Sequence, residues 1–490
     1  MKRFISLSIL SLLIVSGITA QTTKADYFVN TSQTRSSLNP AFRPSQGYIG
    51  FPGGSNIYVD IKTNTLNLDH LLFPQDGDLL TFMHPDVSST EFLNNMADDN
   101  YMAFDFNWKL LSAGWYVGDG FWTVDLGTRM YSDFSIPKSA FELMKVGFGD
   151  KEGEPRSYDL KNIGGNATAF MEAGLGYSRS LLGNSLTVGA KAKILLGIGD
   201  MSMNIDKMNI THNGYGDWTA QSKARLNGSI SGLAPKYKKK INKKGVEEEL
   251  FDGFDTDESL SISGSGFGLD LGAVYDFNKM SEGMSMPLIS NIMSRVKVSA
   301  ALTDIGFISW SGKNSMQLAT DEKTTSFSPN DYIIGDEDGS KSLENHLDDV
   351  MGDFGEALNF KETKERKGRT TSLRTNMNIG LEYEVWKDNL SIGLLSSTQF
   401  GEHHTTTEFT MSANYNPNKS WFATSLSHSF VHGAFETFGL AIHLAPSKGI
   451  NLFLASDYLI PRVNSDFYPI TAKGVNFQFG LSVPIGSRRN

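Results

Sequence analysis

The sequence predicts an all-β protein: a transmembrane antiparallel β-barrel of about 14 strands with a small N-terminal hatch and long outer loops. Three observations predict it. An export leader opens the chain. Segments of about ten residues alternate apolar and polar side chains along much of its length. The 490 residues include 48 glycines and no cysteine, and they show neither heptads nor a Pro/Ser-rich linker.

Residues 1–20 read as a signal peptide. Lys2 and Arg3 form the basic n-region and Phe4 to Val15 the apolar h-region. Ser16-Gly17-Ile18-Thr19-Ala20 then ends in the small residue that a signal peptidase requires, although Ile18 is bulkier than its rule prefers. The apolar run is shorter than the roughly 20 residues that span a bilayer, which disfavours an uncleaved anchor. Without cysteine, neither a lipidated thiol nor a disulfide is available. The expected product is cleaved near Ala20 and resides in the outer membrane of a Gram-negative bacterium.

Residues 21–100 form the next unit. Within it, "SSLNPAFRPSQGYIGFPGG" (Ser36 to Gly54) is too irregular for one strand. Asn39 suits a helix N-cap and Pro40 the first helical position, so Asn39-Pro40-Ala41-Phe42 reads as a single helical turn. Pro44 and the Phe51-Pro52-Gly53-Gly54 bend stop anything longer. Irregular backbone at membrane depth is tolerable only where protein or a water-filled cavity surrounds it. A plug inside a lumen meets that condition; a periplasmic tether is the alternative.

Residues 101–490 carry the barrel. Val475, Phe477, Phe479, Leu481 and Val483 share one face against Asn476, Gln478, Gly480 and Ser482. Val188, Ala190, Ala192 and Ile194 oppose Lys191 and Lys193. Trp122, Val124, Leu126 and Met130 oppose Asp125 and Arg129, and Ile379, Leu381, Tyr383 and Val385 oppose Glu382 and Glu384. The predicted lumen-facing polar set is therefore Asp125, Arg129, Lys191, Lys193, Glu382 and Glu384, with the carboxylates balancing part of the lysine charge. A lysine facing lipid near the midplane would cost about 2–4 kcal/mol, which fixes the phase. A soluble sandwich with one solvated face would show the same alternation, but sandwich strands usually run to only about 5–6 residues.

Strands are expected near 103–112, 121–134, 168–180, 185–211, 218–230, 259–277, 295–309, 371–386, 390–400, 407–415, 421–430, 436–444, 450–458 and 474–484. Segment 185–211 is long enough to hide a hairpin. An even count puts both termini in the periplasm. Residues 387–389, 416–419 and 445–449 then become periplasmic turns, as does the long connection 135–167. The charged insertions 231–258 and 311–370 fall together on the outer side.

Candidate chemistry is sparse. His403 and His404 are adjacent and point to opposite faces of a strand, so they cannot chelate together. His428 and His432 flank an outer turn, and nothing pairs a serine with His428 or His443. "GSGFGLDLG" (264–272) lacks the following helix of a phosphate loop, so its glycines relieve crowding on an inner face. The basic-then-acidic run 236–258 and the acidic run from Asp336 to Asp349 read as solvated loops, with salt-bridged or calcium-assisted loop packing as the alternative. No metal, cofactor or catalytic group is expected. A net charge of −10 with no basic face excludes nucleic acid as a partner.

The stretches "SSLNPAFRP…GYIGFPG", "GNATAFMEAGLGYSRSL…LTVGAKAKILLGI" and "FGLDLGAVYDF…LTDIGFISW" resemble an uncharacterised outer-membrane family of Bacteroidota. That family sits in the broader group of barrels holding the long-chain fatty-acid transporters and the PorV-type secretion proteins. The resemblance implies a hatch at Asn39, Pro40, Ala41 and Phe42 inside the barrel. It also implies two functions: a gated channel or transporter for small hydrophobic or amphipathic molecules, or a scaffold docking an envelope or secreted protein through its long loops. Membrane lipid and lipopolysaccharide are the expected surroundings in either case. A greasy pocket beneath the hatch would favour transport; a sealed lumen with ordered loops would favour docking.

Overall fold

A computed structural model describes residues 22–490 apart from 76–77, 85, 147–154, 213–217, 242–246, 257–260, 278–286, 321–323, 328–359, 363–366, 403, 418–420, 432–433, 447, 460–471 and 488–490. The leader, the acidic run 336–349, His403 and His432 lie outside the described residues. Among the described residues no helix is long and apolar enough to cross a membrane; strands do so instead.

The wall is a closed antiparallel ring of 14 strands. In chain order they are β1 (Gly47–Gly50 and Asn56–Thr63), β2 (Asp99–Val117), β3 (Gly120–Pro137), β4 (Gly164–Leu181) and β5 (Leu186–His212). Then follow β6 (Gly264–Asp276), β7 (Val296–Trp310), β8 (Arg369–Ser372 and Asn376–Trp386), β9 (Leu390–Phe400) and β10 (Thr405–Tyr415). The last four are β11 (Phe422–Val431), β12 (Phe435–Leu444), β13 (Asn451–Ser456) and β14 (Gly474–Ile485). Each strand pairs with its neighbours in sequence. The ring closes where β1 lies between β14, with Gly47 opposite Ile485, and β2, with Ile57 opposite Trp108.

The predicted strands agree with this ring except at two places. Residues 47–63, read as part of the hatch segment, are a wall strand whose pattern is interrupted by the Phe51–Gly54 bend. Residues 218–230 are not in the ring. Among the described residues, Trp218–Ile230 pairs with the distal arm of β5 and with Ser315–Thr320 and Thr324–Phe327. One strand added before β2 and one removed after β5 reverse the sense of everything between them. The connection 138–163 therefore lies at the end carrying the long insertions, not in the periplasm. The turns at 118–119 and 182–185 move to the end shared by both termini and the other short turns, which is the periplasmic pattern. Segment 186–212 is one 27-residue strand rather than a hairpin.

Alternation sorts the wall as the phase requires. Val188, Ile194, Leu175, Phe267, Ile379 and Leu394 are exposed on the lipid side, while Gly189, Lys191 and Lys193 turn inward. At the outer end, β5 continues with Trp218–Ile230 and Ser315–Thr320 into a sheet with its own apolar core, including Tyr158, Leu160, Met208, Ile210, Leu226 and Leu318. A second small core gathers Leu66, Val87, Phe92, Met96 and Phe141 from the two outer connections 64–98 and 138–163. Among the described residues, the outer end thus carries two apolar cores of its own.

Candidate functional site

The lumen is filled by residues 22–46 from the end that carries the short turns. Two 3₁₀ turns, Lys24–Asp26 and Thr34–Ser37, fold the segment into a compact plug. Tyr27, Phe28, Leu38 and Phe42 form its apolar centre, and both Phe28 and Phe42 lie edge-on to Tyr27 at 4.9 Å. The Arg35 guanidinium lies 3.8 Å from the centre of the Phe42 ring.

Asn39-Pro40-Ala41-Phe42 closes as one hydrogen-bonded turn. Asn39 Oδ1 accepts the Ala41 N–H at 2.9 Å and the Asn39 carbonyl accepts the Phe42 N–H at 3.0 Å. Pro44 disfavours helical backbone at Arg43, so the turn has nothing to propagate into. The Asn39 amide also donates to the Ala273 and Ala300 carbonyls of the wall, at 3.3 and 3.4 Å.

The wall receives the plug on glycines. A Cβ added at Gly272 would stand 2.0 Å from Asn39 Oδ1, and one at Gly189 would stand 2.2 Å from the Pro40 carbonyl oxygen. These two glycines face each other across β5 and β6. Gly380 gives the same clearance to Tyr27 and Gly393 to Phe28. Side chains complete the attachment. Asp457 accepts the backbone N–H groups of Lys24 and Ala25 at 2.9 and 2.8 Å, and Gln478 accepts that of Thr23 at 2.8 Å. Lys109 donates to Ser37 Oγ at 2.6 Å, and Asn378 donates to the Leu38 carbonyl at 2.9 Å. Thr31 Oγ1 lies 2.8 Å from His443 Nδ1. Among the described residues no backbone–backbone hydrogen bond joins plug to wall.

Beyond the plug the wall supplies its own filling. Arg129 donates to both Asp304 oxygens at 2.6 and 2.8 Å and to Glu172 at 2.9 Å. Lys193 reaches Asp304 at 2.6 Å and Asp270 at 2.7 Å, and Lys191 reaches Asp125 at 2.7 Å. Arg374 bridges Asp105 and Asp133. Further out, Tyr131, Phe170, Leu195, Ile308, Trp310 and Leu373 pack as an apolar layer. A narrow cleft remains beside the plug; Lys24, Tyr58, Asp60, Lys62, Asp105 and Glu408 are among the residues lining it.

The structure brings Asp125, Arg129, Lys191 and Lys193 into one network. It does not bring Glu382 and Glu384 there: Glu384 pairs with Lys297, and Glu382 accepts the Ser391 hydroxyl at 2.7 Å. Sequence reasoning missed Glu172, Asp270 and Asp304. A charge inside an otherwise alternating strand was the available signal at Glu172 and Asp270. Asp304 sits at a bulge with φ 60°, where the alternation breaks. Of the histidines, His443 is buried against the plug. His428 stacks on Phe438 in the outward phase, and His404 stacks on Tyr101.

Asp26 makes the plug sensitive to pH. Burial pushes its carboxyl up to about 7, against the hydrogen bonds it accepts from the Thr34 and Ser32 hydroxyls. In a released, solvated segment an Asp titrates near about 3.9. Below that value both states are protonated and seating is unaffected. Between the two values the seated form binds more protons, so seating weakens as pH rises and levels off above 7. Protease protection of residues 22–46 should therefore fall from pH 4 to pH 7.5, and Asp26→Asn should flatten the profile. An unchanged profile in that variant would assign the dependence elsewhere.

No curated protein matches the chain. Among solved structures it is similar to the TodX monoaromatic hydrocarbon channel. A deltaS2 mutant matches at 9% identity and TM-score 0.37, over 91% of this chain and 93% of that one. A deltaS2S3 mutant matches at 9% identity and TM-score 0.35, over 96% of each chain. The siderophore receptor PirA from Pseudomonas aeruginosa matches at 10% identity and TM-score 0.19, over 91% of this chain and 81% of that one. Overlaps this loose say nothing about cargo. The sequence itself is matched over residues 40–457, from the plug turn to the end of β13, by one family model, and the chain accordingly belongs to the family of unknown function DUF5723.

Proposed function

We propose that the protein is a plug-gated outer-membrane channel for small solutes, held shut by residues 22–46. One observation carries this reading. The plug is fastened by side-chain hydrogen bonds, an ion pair and glycine facets, while the 14-strand ring closes without it. Such a segment leaves without breaking the wall. The kinship with fatty-acid transporter barrels suggested by the sequence implies a hydrophobic or amphipathic cargo. The lining supports a hydrophilic one, since the cleft beside the plug presents carboxylates, lysines, amides and hydroxyls. The apolar core among the described residues of the outer end favours the second reading: a scaffold for an envelope or secreted protein.

Planar-bilayer recording separates the two. The full chain should be nearly silent, and a variant lacking residues 22–46 should conduct in discrete steps. Its intact wall should be verified by a heat-dependent shift in gel mobility. A folded deletion variant that stays silent would dismiss the channel and leave the scaffold.

A further inference from the structure

The plug carries charge into the lumen, and so does the part of the wall it covers. Lys24 Nζ lies 3.4 Å from Glu408 Oε2 and 4.0 Å from Asp457 Oδ2, with all three side chains almost wholly out of solvent. Several buried charges of the wall are answered from within the wall. Arg129, Lys191 and Lys193 face Asp125, Glu172, Asp270 and Asp304, and Lys62 lies 3.3 Å from Asp60. Glu408 and Asp457 differ: among the described residues, the base in ion-pair contact with each comes from the plug. Their wall partners are neutral. Tyr458 donates its hydroxyl to Glu408 at 3.1 Å, and Asn476 donates its amide to Asp457 at 3.2 Å.

A second observation points to the same place. Tyr58 and Asp60 line the cleft beside Lys24 and Glu408, and both are at least nine-tenths buried. Among the described residues, the Tyr58 hydroxyl and Asp60 Oδ1 have no hydrogen-bond partner. Buried polar atoms are ordinarily satisfied, so these two oxygens are spare acceptors at the edge of a pocket already holding an ammonium group.

We infer that Glu408 and Asp457, with Tyr58 and Asp60 beside them, form the recognition site for a solute bearing a primary amine, and that Lys24 is the resident surrogate occupying it while the channel is closed. The inference rests on the plug-gated reading for its consequence, which is that the open lumen selects cations. Withdrawing the plug removes Lys24 and leaves paired carboxylates in a walled, low-dielectric passage, where a single sign of charge concentrates its counter-ion.

Chemical rescue in the full chain tests the site. Lys24→Ala leaves Glu408 and Asp457 without their ammonium group, and protease protection of residues 22–46 in the detergent-solubilised barrel should fall. Butylammonium should restore it, whereas butanol and butyrate should not, and Glu408→Gln added to Lys24→Ala should abolish the rescue. Equal response to all three additives, or to none, would overturn the site. In bilayers under a KCl gradient, the variant lacking residues 22–46 should pass K⁺ in preference to Cl⁻. Glu408→Gln with Asp457→Asn should bring that ratio towards one. Conductance without cation preference would overturn the inference while leaving the gate intact. Rescue by butylammonium in a barrel that never conducts would leave the site standing and remove the gate.

Discussion

Asp304→Ala is expected to destabilise the barrel by about 3–5 kcal/mol, the range for removing one partner from a buried ion pair. Asp304 accepts two hydrogen bonds from Arg129 and one from Lys193, and its own N–H donates to Asp270 at 2.7 Å. Without its carboxylate, Arg129 and Lys193 face each other with only Glu172 and Asp270 between them. Alanine also inherits a backbone φ of 60°, a left-handed conformation that costs a residue with a Cβ about 1–2 kcal/mol. Asp304→Asn keeps a side chain suited to that conformation and removes only the charge. It should therefore lose less, and adding Lys193→Met should recover part of the loss. Urea unfolding of the refolded barrel measures all three variants. A loss for Asp304→Ala within about 1 kcal/mol, the value of a solvent-exposed pair, would mean that water screens the network.

Gly272→Val should act on the plug and spare the wall. Valine suits a β-strand, but its Cβ would fall 2.0 Å from Asn39 Oδ1 and 2.8 Å from Pro40 Cδ. Forcing a side chain into a filled space costs about 1–3 kcal/mol, and here the cheapest relief is for the plug to lift. On the plug-gated reading, the conducting fraction of the full chain should rise about tenfold or more, with residues 22–46 becoming accessible to protease. The urea midpoint of the wall should be unchanged. Gly189→Val, against the Pro40 carbonyl oxygen at 2.2 Å, should behave alike. Protection of the plug equal to that of the unsubstituted chain would show that Asn39-Pro40 is not what seats it.

The parts of this architecture written into single strands were legible in the sequence. Lys191 and Lys193 face inward because the other phase would put two ammonium groups in lipid, and period-two alternation fixes that choice locally. Strand 47–63 was not legible, because its wall pattern is cut by the Phe51–Gly54 bend, so neither arm is long enough to cross a bilayer. Trp218–Ile230 misled for the opposite reason. It alternates because one face packs on the outer core around Met208 and Leu226, and a half-buried sheet above the membrane has the same period as one inside it. The partners of the lumen charges were hidden more deeply. Arg129 meets Asp304 from a strand far along the chain, and such a meeting depends on ring order and shear, which no single strand encodes. Gly272 was correctly read as relieving crowding on an inner face; that the crowding came from Asn39 required the plug.

The plug runs directly into β1, the strand that closes the ring, and that continuity bears on how the barrel is assembled. Strands β2 to β14 each pair with a sequence neighbour and form locally. The seam between β1 and β14 joins opposite ends of the chain, and such non-local closure carries the largest entropic penalty and the slowest step. The contact from Thr23 to Gln478 bridges 455 residues, and the Asp457 contacts with Lys24 and Ala25 span 433 and 432. Both wall residues belong to the C-terminal strands or their connection. A plug seated on an open, curling sheet would hold β13 and β14 to the segment that leads into β1 and would shorten the search for the last register. On this geometry the stopper is also the clasp: the residues that shut the lumen bring the two edges of the sheet together.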